Sequence, residues 1–455
     1  MRFVRAGIIF VLVLLADVNF TPQTAHLFNP QQVTRLALSL SLLDGHADID
    51  AFAGHTVDIA STGGHFYADK PPGLSMLALP AVAVAKAMSS GADPFDPQTI
   101  AGYLSAAILS TNGVLGALAA ALLYTLALSF GVGERGALLA AGTVALGTPF
   151  FGWSTVFFAH AASGALLLVA FAAAVMVTGR WRELVVGLLL GVLLTVDLTA
   201  APAAALVALY AASRGGESLV RRLVTLAIGG LVGLSPLLVY GQIAFGSPFH
   251  LGYSDVVGFE GMKQGVFGLT APNPGVLLQI LFGLYRGLLP LSPVLVLVPV
   301  GLAAMWRQNR AAALVVLGTV VCALSINSSY AYWDGGSSTG PRHLVSMLPM
   351  ACLPLAFVRA RGPWAVAVGI LVLASAAISV ICASTEMLSG VEHAAPFFDD
   401  ILPRFIADNP LRAAPVLISW AGFALLWLWP PRSRAKGDKL AARPLDASRE
   451  VQLEQ

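Results

Sequence analysis

The chemistry of this chain concentrates in Asp44 to Gly73, DGHADIDAFAGHTVDIASTGGHFYADKPPG. The stretch carries Asp44, Asp48, Asp50, Asp58 and Asp69, the histidines His46, His55 and His65, and one lysine, Lys70, with His26 nearby. It closes on Tyr67-Ala68-Asp69-Lys70-Pro71-Pro72-Gly73, where two prolines and a glycine stop regular structure and present the preceding side chains. Carboxylates beside a lysine suit proton abstraction by a carboxylate base and stabilisation of a developing anion by the cation. The bland alternative is a solvated loop whose Asp69–Lys70 pair contributes little.

A second constellation runs from Asn327 to His343, NSSYAYWDGGSSTGPRH. Tyr330 and Trp333, with Tyr332, offer flat faces of the kind sugars pack against, with Asp334 beside them. Arg342 has the planar fork that suits a phosphate. Arg286, in Leu284-Tyr285-Arg286-Gly287, and His160, after Trp153 to Ala159, complete the set. Trp153 and Trp420 read equally as interface anchors, His160 as a packing residue, and Arg286 and Arg342 as headgroup contacts. Asp197, between two short apolar segments, reads as a buried structural acid on the inner half.

These residues need a scaffold, and the scaffold is a membrane one. Of 455 residues 57% are hydrophobic and 11% charged, far below the quarter usual in globular proteins. Apolar runs predict spans at about 6–21, 99–129, 137–152, 159–178, 184–197, 198–213, 223–243, 287–306, 311–327, 343–358, 363–384 and 412–430. The first resembles a signal peptide but leads into Asp17, Val18 and Asn19 with no cleavage site, so it reads as an uncleaved span. Arg2, Arg5, Arg135, Arg180, Arg182, Arg214, Arg221, Arg222, Arg307, Arg310, Arg359 and Arg361 then fall on one side, the cytoplasm by the positive-inside rule. A full crossing by 73–89 would invert every later loop, so this segment is expected to lie along or re-enter the outer face, with Lys86 at the interface, and 276–285 likewise. The expectation is an all-α polytopic membrane protein of about twelve spans over 1–431, a long first outer loop at 22–98 carrying juxtamembrane helices, and a disordered cytoplasmic tail at 432–455.

Net charge is +2, which gives no sign of a nucleic-acid partner. No phosphate-binding Walker motif, dinucleotide fingerprint or zinc spacing is present, and no internal repeat of 20–50 residues is visible. Cys322, Cys352 and Cys382 lie in apolar segments and read as buried residues without disulfides.

The pattern from Gly64 to Gly73 resembles the first outer loop of the polytopic GT-C glycosyltransferases, the superfamily of protein O-mannosyltransferases and the lipid A aminoarabinose transferase. It is more similar still to an uncharacterised bacterial group within them. That group's order is met by Arg35, Ile49-Asp50, Asp58 and Tyr67 to Gly73, then Leu146 to Pro149, His160, Phe245 to Pro248, Tyr285-Arg286-Gly287 and Trp333 to Arg342. The better-known transferases carry their base just after the first span, where this chain has Asn29.

The resemblance implies transfer of a sugar from a polyprenyl-phosphate donor to a lipid, glycan or protein acceptor at the outer face of a bacterial cytoplasmic membrane. It implies an inverting displacement with Asp58 or Asp50 as base, Asp58 being nearer the Lys-Pro element. Lys70, Arg342, Arg286, Asp69 and Tyr67 are expected at the donor phosphate, and His160, Tyr330, Trp333, Asp334 and His65 at the substrates. A phosphate leaving group requires no cofactor and leaves a divalent metal optional. A transporter or flippase of a lipid-linked sugar is the alternative. It should show charges along the membrane midplane and a repeat relating its halves; a non-enzymatic scaffold would not need the Asp-Lys-Pro-Pro-Gly loop.

Overall fold

The computed structural model describes residues 2–24, 27–216, 218–408 and 410–429; the tail at 432–455 and His26 lie outside the described residues. The chain opens with α1 (Arg2–Thr24), then α2 (Pro30–Leu43), a hairpin of β1 (Ile59–Thr62) and β2 (His65–Ala68), and α3 (Gly73–Met88). Helices make up nearly all the rest.

Among the described residues, six helices are long and apolar enough to cross a membrane: Arg2–Thr21, Ile100–Ser129, Ala159–Met176, Leu219–Phe245, Arg310–Ser329 and Pro363–Thr385. The expected 99–129 span is thus one apolar helix of 30 residues, interrupted by a π turn at Leu109–Gly113. Leu198–Ala212, Pro293–Gln308, Arg342–Phe357 and Val416–Leu428 are apolar helices of 10–17 residues, as is Gly73–Met88. Prolines account for several of these interruptions, since each removes a backbone donor inside an apolar run; Pro293, Pro349 and Pro354 all stand at such breaks.

Arg5 near the start of α1 pairs with Glu134 and reaches the Trp429 carbonyl, so both ends of the described chain meet at one end of the bundle. α1 has 23 residues, a rise of about 34 Å, and Asn29 follows its far end. The first long loop therefore sits at the end of the bundle opposite Arg5.

That loop is built, not merely solvated. Asn29 caps α2, its Oδ1 accepting from Gln31 N at 3.1 Å, and Pro30 occupies the first helical position. α2 is buried from Gln32 to Ser41. Its Gln32 Oε1 accepts from Phe157 N at 2.8 Å, which ties it to the irregular turn before the Ala159–Met176 helix. Gly63 and Gly64, with φ of 59° and 87°, make the two-residue turn that joins the hairpin strands. Lys86 of α3 pairs with Asp44 at 2.5 Å across exposed surface.

Candidate active site

One cavity of about 540 Å³ opens at this end of the bundle. Asp58, Asp69, Lys70, His160, Tyr330 and Arg342 line it, six of the residues expected from sequence. They come from the first loop, the start of the Ala159–Met176 helix and the segment after the Arg310–Ser329 helix.

Asp58 is 6% exposed and held from both sides. Thr34 Oγ1 donates to its carbonyl at 2.7 Å, and its own N–H donates to Thr56 Oγ1 at 3.1 Å. The carboxylate lies 3.8 Å from Lys70 Nζ. Burial pushes the Asp58 carboxyl up and Asp69 adds to this, against the opposing pull of Lys70, Arg342 and Arg35. A carboxylate raised this way is a better proton acceptor.

Lys70 also bonds Asp69, whose second oxygen is buried without a partner. The Pro-Pro-Gly ending sets the position of this pair. A Cβ at Gly73 would run into the backbone of Thr195, so only glycine lets α3 begin against the end of the Arg182–Val196 helix. Asp197, two residues beyond Thr195, thereby reaches the cavity wall, its Oδ1 accepting from Thr199 N at 3.0 Å and Thr199 Oγ1 at 2.6 Å. This corrects the expectation of a structural acid on the inner half: Asp197 stands in the same cavity as Asp58, because the two short segments meet at the loop end of the bundle.

Arg342 leans over the Phe158 ring at 5.3 Å, and its Nε is buried with no bonded partner. His343 lies between His160 and Tyr330, with ring centroids 5.2 and 5.4 Å away.

The other expected residues lie outside the cavity lining. Asp50 sits on the exposed rim, accepting from Phe66 N at 2.6 Å and paired with His65 Nδ1 at 2.6 Å. Slight burial pushes its carboxyl up, but those two bonds prevail and hold it below the usual carboxylate range. Asp48 joins them, the ligand atoms of the three lying within 4.8 Å of one another. This is where the described residues could gather a cation, although Asp50 and His65 already satisfy each other.

Tyr67 packs on Phe245 at 5.0 Å. Arg286 is fully buried and directs its donors at carbonyls: Asp334 at 2.9 Å, Gly336 at 2.7 Å and Tyr285 at 3.1 Å. Asp334 accepts from the Tyr285 hydroxyl at 3.2 Å, and Trp333 packs edge-on against that ring. Together they brace the Gly335-Gly336 turn, which does line the cavity.

Arg35 is the residue that site reasoning from sequence underweighted. It is 3% exposed, it lines the cavity, and its Nε and Nη1 have no bonded partner. Its signal was a lone arginine within an otherwise apolar and hydroxyl-bearing helix, RLALSLSLL. Asn29, at the position of the better-known base, lines the cavity while capping α2.

No protein-family model matches the chain, and no curated protein sequence does. Among solved structures, it is similar to ArnT from Cupriavidus metallidurans bound to undecaprenyl phosphate, with TM-score 0.54 and 14% identity over 92% of this chain and 76% of that one. The same protein in the apo state gives TM-score 0.47 and 15% identity over 92% and 75%. The archaeal oligosaccharyltransferase AglB from Archaeoglobus fulgidus, in complex with an inhibitory peptide and a dolichol-phosphate, gives 0.42 and 11% over 84% of this chain and 56% of that one. The fold is thus like that of the ArnT structure, a bundle of mostly apolar helices with one short β-hairpin among the described residues.

Proposed function

We propose that the protein transfers a sugar from a polyprenyl-phosphate carrier to a hydroxyl acceptor at the outer face of a bacterial cytoplasmic membrane. The observation that carries this reading is the pairing of a buried carboxylate, Asp58, with Lys70 at 3.8 Å on the wall of a cavity that also presents Arg342. The carrier bound by the ArnT structure of like fold is undecaprenyl phosphate, which supports the same donor class here.

In this mechanism the acceptor oxygen attacks the anomeric carbon while its proton passes to Asp58. The bond from that carbon to the phosphate oxygen breaks, and the electron pair leaves on the phosphate. Lys70 and Arg342, with Arg35 behind them, stabilise that charge in a largely water-excluded site. Displacement on one face inverts the anomeric centre. Asp69 orients Lys70, and Arg286 acts as a positioning residue through the Gly335-Gly336 turn. A phosphate leaving group requires no cofactor for this step and leaves a divalent metal optional.

With the proposed twelve crossings and both ends cytoplasmic, this cavity would face outward. A cysteine at the exposed Asp93 should then react with a membrane-impermeant thiol reagent in intact cells, and one at Arg180 should not; the opposite pattern overturns the outward-facing site.

The activity itself is tested with purified protein in nanodiscs and lipid-linked sugars extracted from the native membrane. Release of free polyprenyl phosphate dependent on Asp58 supports the transferase. Movement of intact donor across a vesicle bilayer without bond cleavage overturns it in favour of a transporter.

A further inference from the structure

We infer that a second chamber, outside the reaction cavity, receives the acceptor, and that the acceptor's reacting part is an uncharged sugar ring. The inference rests on the transferase reading above. The chamber measures about 330 Å³. Tyr253, Val256, Phe259, Met262 and Phe267 line both it and the reaction cavity, so one loop forms the partition between them. That loop is stitched to the strand next to the proposed base. Val257 N donates to Ile59 O at 3.0 Å, and Ala60 bridges Val256, which sets the partition one to two residues from Asp58. An acceptor seated in this chamber would lie across that wall from the cavity that Asp58 lines.

Chemistry separates the two spaces. Arg35, Lys70 and Arg342 face Asp58, Asp69 and Asp197 in the inner cavity. Among the described residues lining the outer chamber, Lys263 alone is charged, and Glu260 holds its Nζ at 2.7 and 2.9 Å. Among the described residues of its lining, a phosphate would meet only this exposed, Glu260-paired lysine, and an amine would meet no carboxylate. What it offers is half-buried aromatic surface: Tyr253 and Phe267 with centroids 5.8 Å apart, and Phe259 edge-on to Tyr332 at 5.8 Å. Phe267 holds this place at φ 52°, a left-handed conformation that a non-glycine residue adopts only under strain. Flat rings over an opening whose described lining carries a single, paired charge suit the CH face of a pyranose, with its hydroxyls turned to solvent and toward the wall it shares with the inner cavity.

The test uses the full protein in nanodiscs and measures binding of methyl β-D-glucopyranoside, methyl α-D-mannopyranoside, glucose 6-phosphate and undecaprenyl phosphate. Ser254 lines the outer chamber and not the inner cavity, so Ser254→Leu narrows only the former. At least one neutral glycoside should bind the wild type. Ser254→Leu and Phe259→Ala should each weaken it about tenfold or more, while Ser254→Leu leaves undecaprenyl phosphate within about twofold. Retained undecaprenyl phosphate binding also shows that Ser254→Leu is folded. Absence of neutral glycoside binding, unchanged binding in Ser254→Leu, or tighter binding of glucose 6-phosphate than of either neutral glycoside would each overturn the inference. Failure of the wild type to bind undecaprenyl phosphate would instead count against the transferase reading, and the glycoside arm is measured without it.

Discussion

Asp50 and Asp58 lie eight residues apart in one loop, and the structure gives them opposite surroundings. Asp50 is on the rim, in contact with water, its bonds to Phe66 N and His65 holding it in the charged form. Asp58 is buried against α2, its carboxyl pushed up by desolvation and answered by Lys70, Arg342 and Arg35. An exposed ion pair contributes about 0–1 kcal/mol and is screened by salt. Removing one partner of a buried pair leaves a charge without compensation, at about 3–5 kcal/mol. The same residue type is thus an ornament of the surface in one place and a chemically committed group in the other. Burial separates the two, not residue type or spacing.

The comparison breaks first at its cations. Lys70→Ala and Arg342→Ala should each lower kcat/KM by about a hundred- to a thousandfold with normal protein levels, and wild-type activity in both would remove charge stabilisation of the carrier phosphate from these residues. Next come the acids themselves. Asp58→Asn keeps the shape and cannot accept a proton, so kcat should fall about a hundredfold or more while undecaprenyl phosphate still binds. Asp50→Asn should leave kcat within about threefold. A reversal of these two results would move the base to the rim.

A finer contrast lies in pH dependence. Asp58 must be ionised to act, and burial raises its carboxyl, so kcat/KM should fall with decreasing pH through a midpoint above that of an ordinary carboxyl. The residual activity of Asp58→Asn should lack that limb.

The smallest effect belongs to the rim. The bond from Asp50, and its charge, raise the His65 ring above its usual value. The stability that His65 contributes is therefore complete below its unfolded value and is lost as pH rises through the folded one. Asp50, held low, contributes above its unfolded value and loses it as pH falls through the folded one. The pair should be tightest between those limits. An NMR titration of Asp50→Asn should show His65 returning toward an ordinary imidazole, and an unshifted His65 would dissolve the pair.

Much of the site was legible because it depends on residues that are costly in an apolar chain. Lys70 and Arg342 stand out against membrane-length hydrophobic runs, and each adjoins prolines or glycines that hold a side chain in place. The hairpin of β1 and β2 was not read from the sequence, because neither Ile59–Thr62 nor His65–Ala68 alternates apolar with polar residues and a polar stretch between spans reads first as loop. Arg286 shows the opposite limit. Its neighbours Tyr285 and Gly287 suit a phosphate site, yet its donors are taken by the carbonyls of Asp334 and Gly336, some fifty residues away.

By itself the sequence determined the class of molecule: hydropathy along a chain sets which segments leave water, and a membrane admits only helices or closed barrels there. It also determined which loop carries the ionisable groups. Only the tertiary structure decided which of them act together. Asp197 joined Asp58 because Gly73 lets α3 abut Thr195, and Asp50 was left on the rim because its hydrogen bonds close on Phe66 and His65. The physical reason is that desolvation and short-range hydrogen bonding depend on distances through space, and two residues eight apart in a loop have no fixed distance until the fold around them is packed.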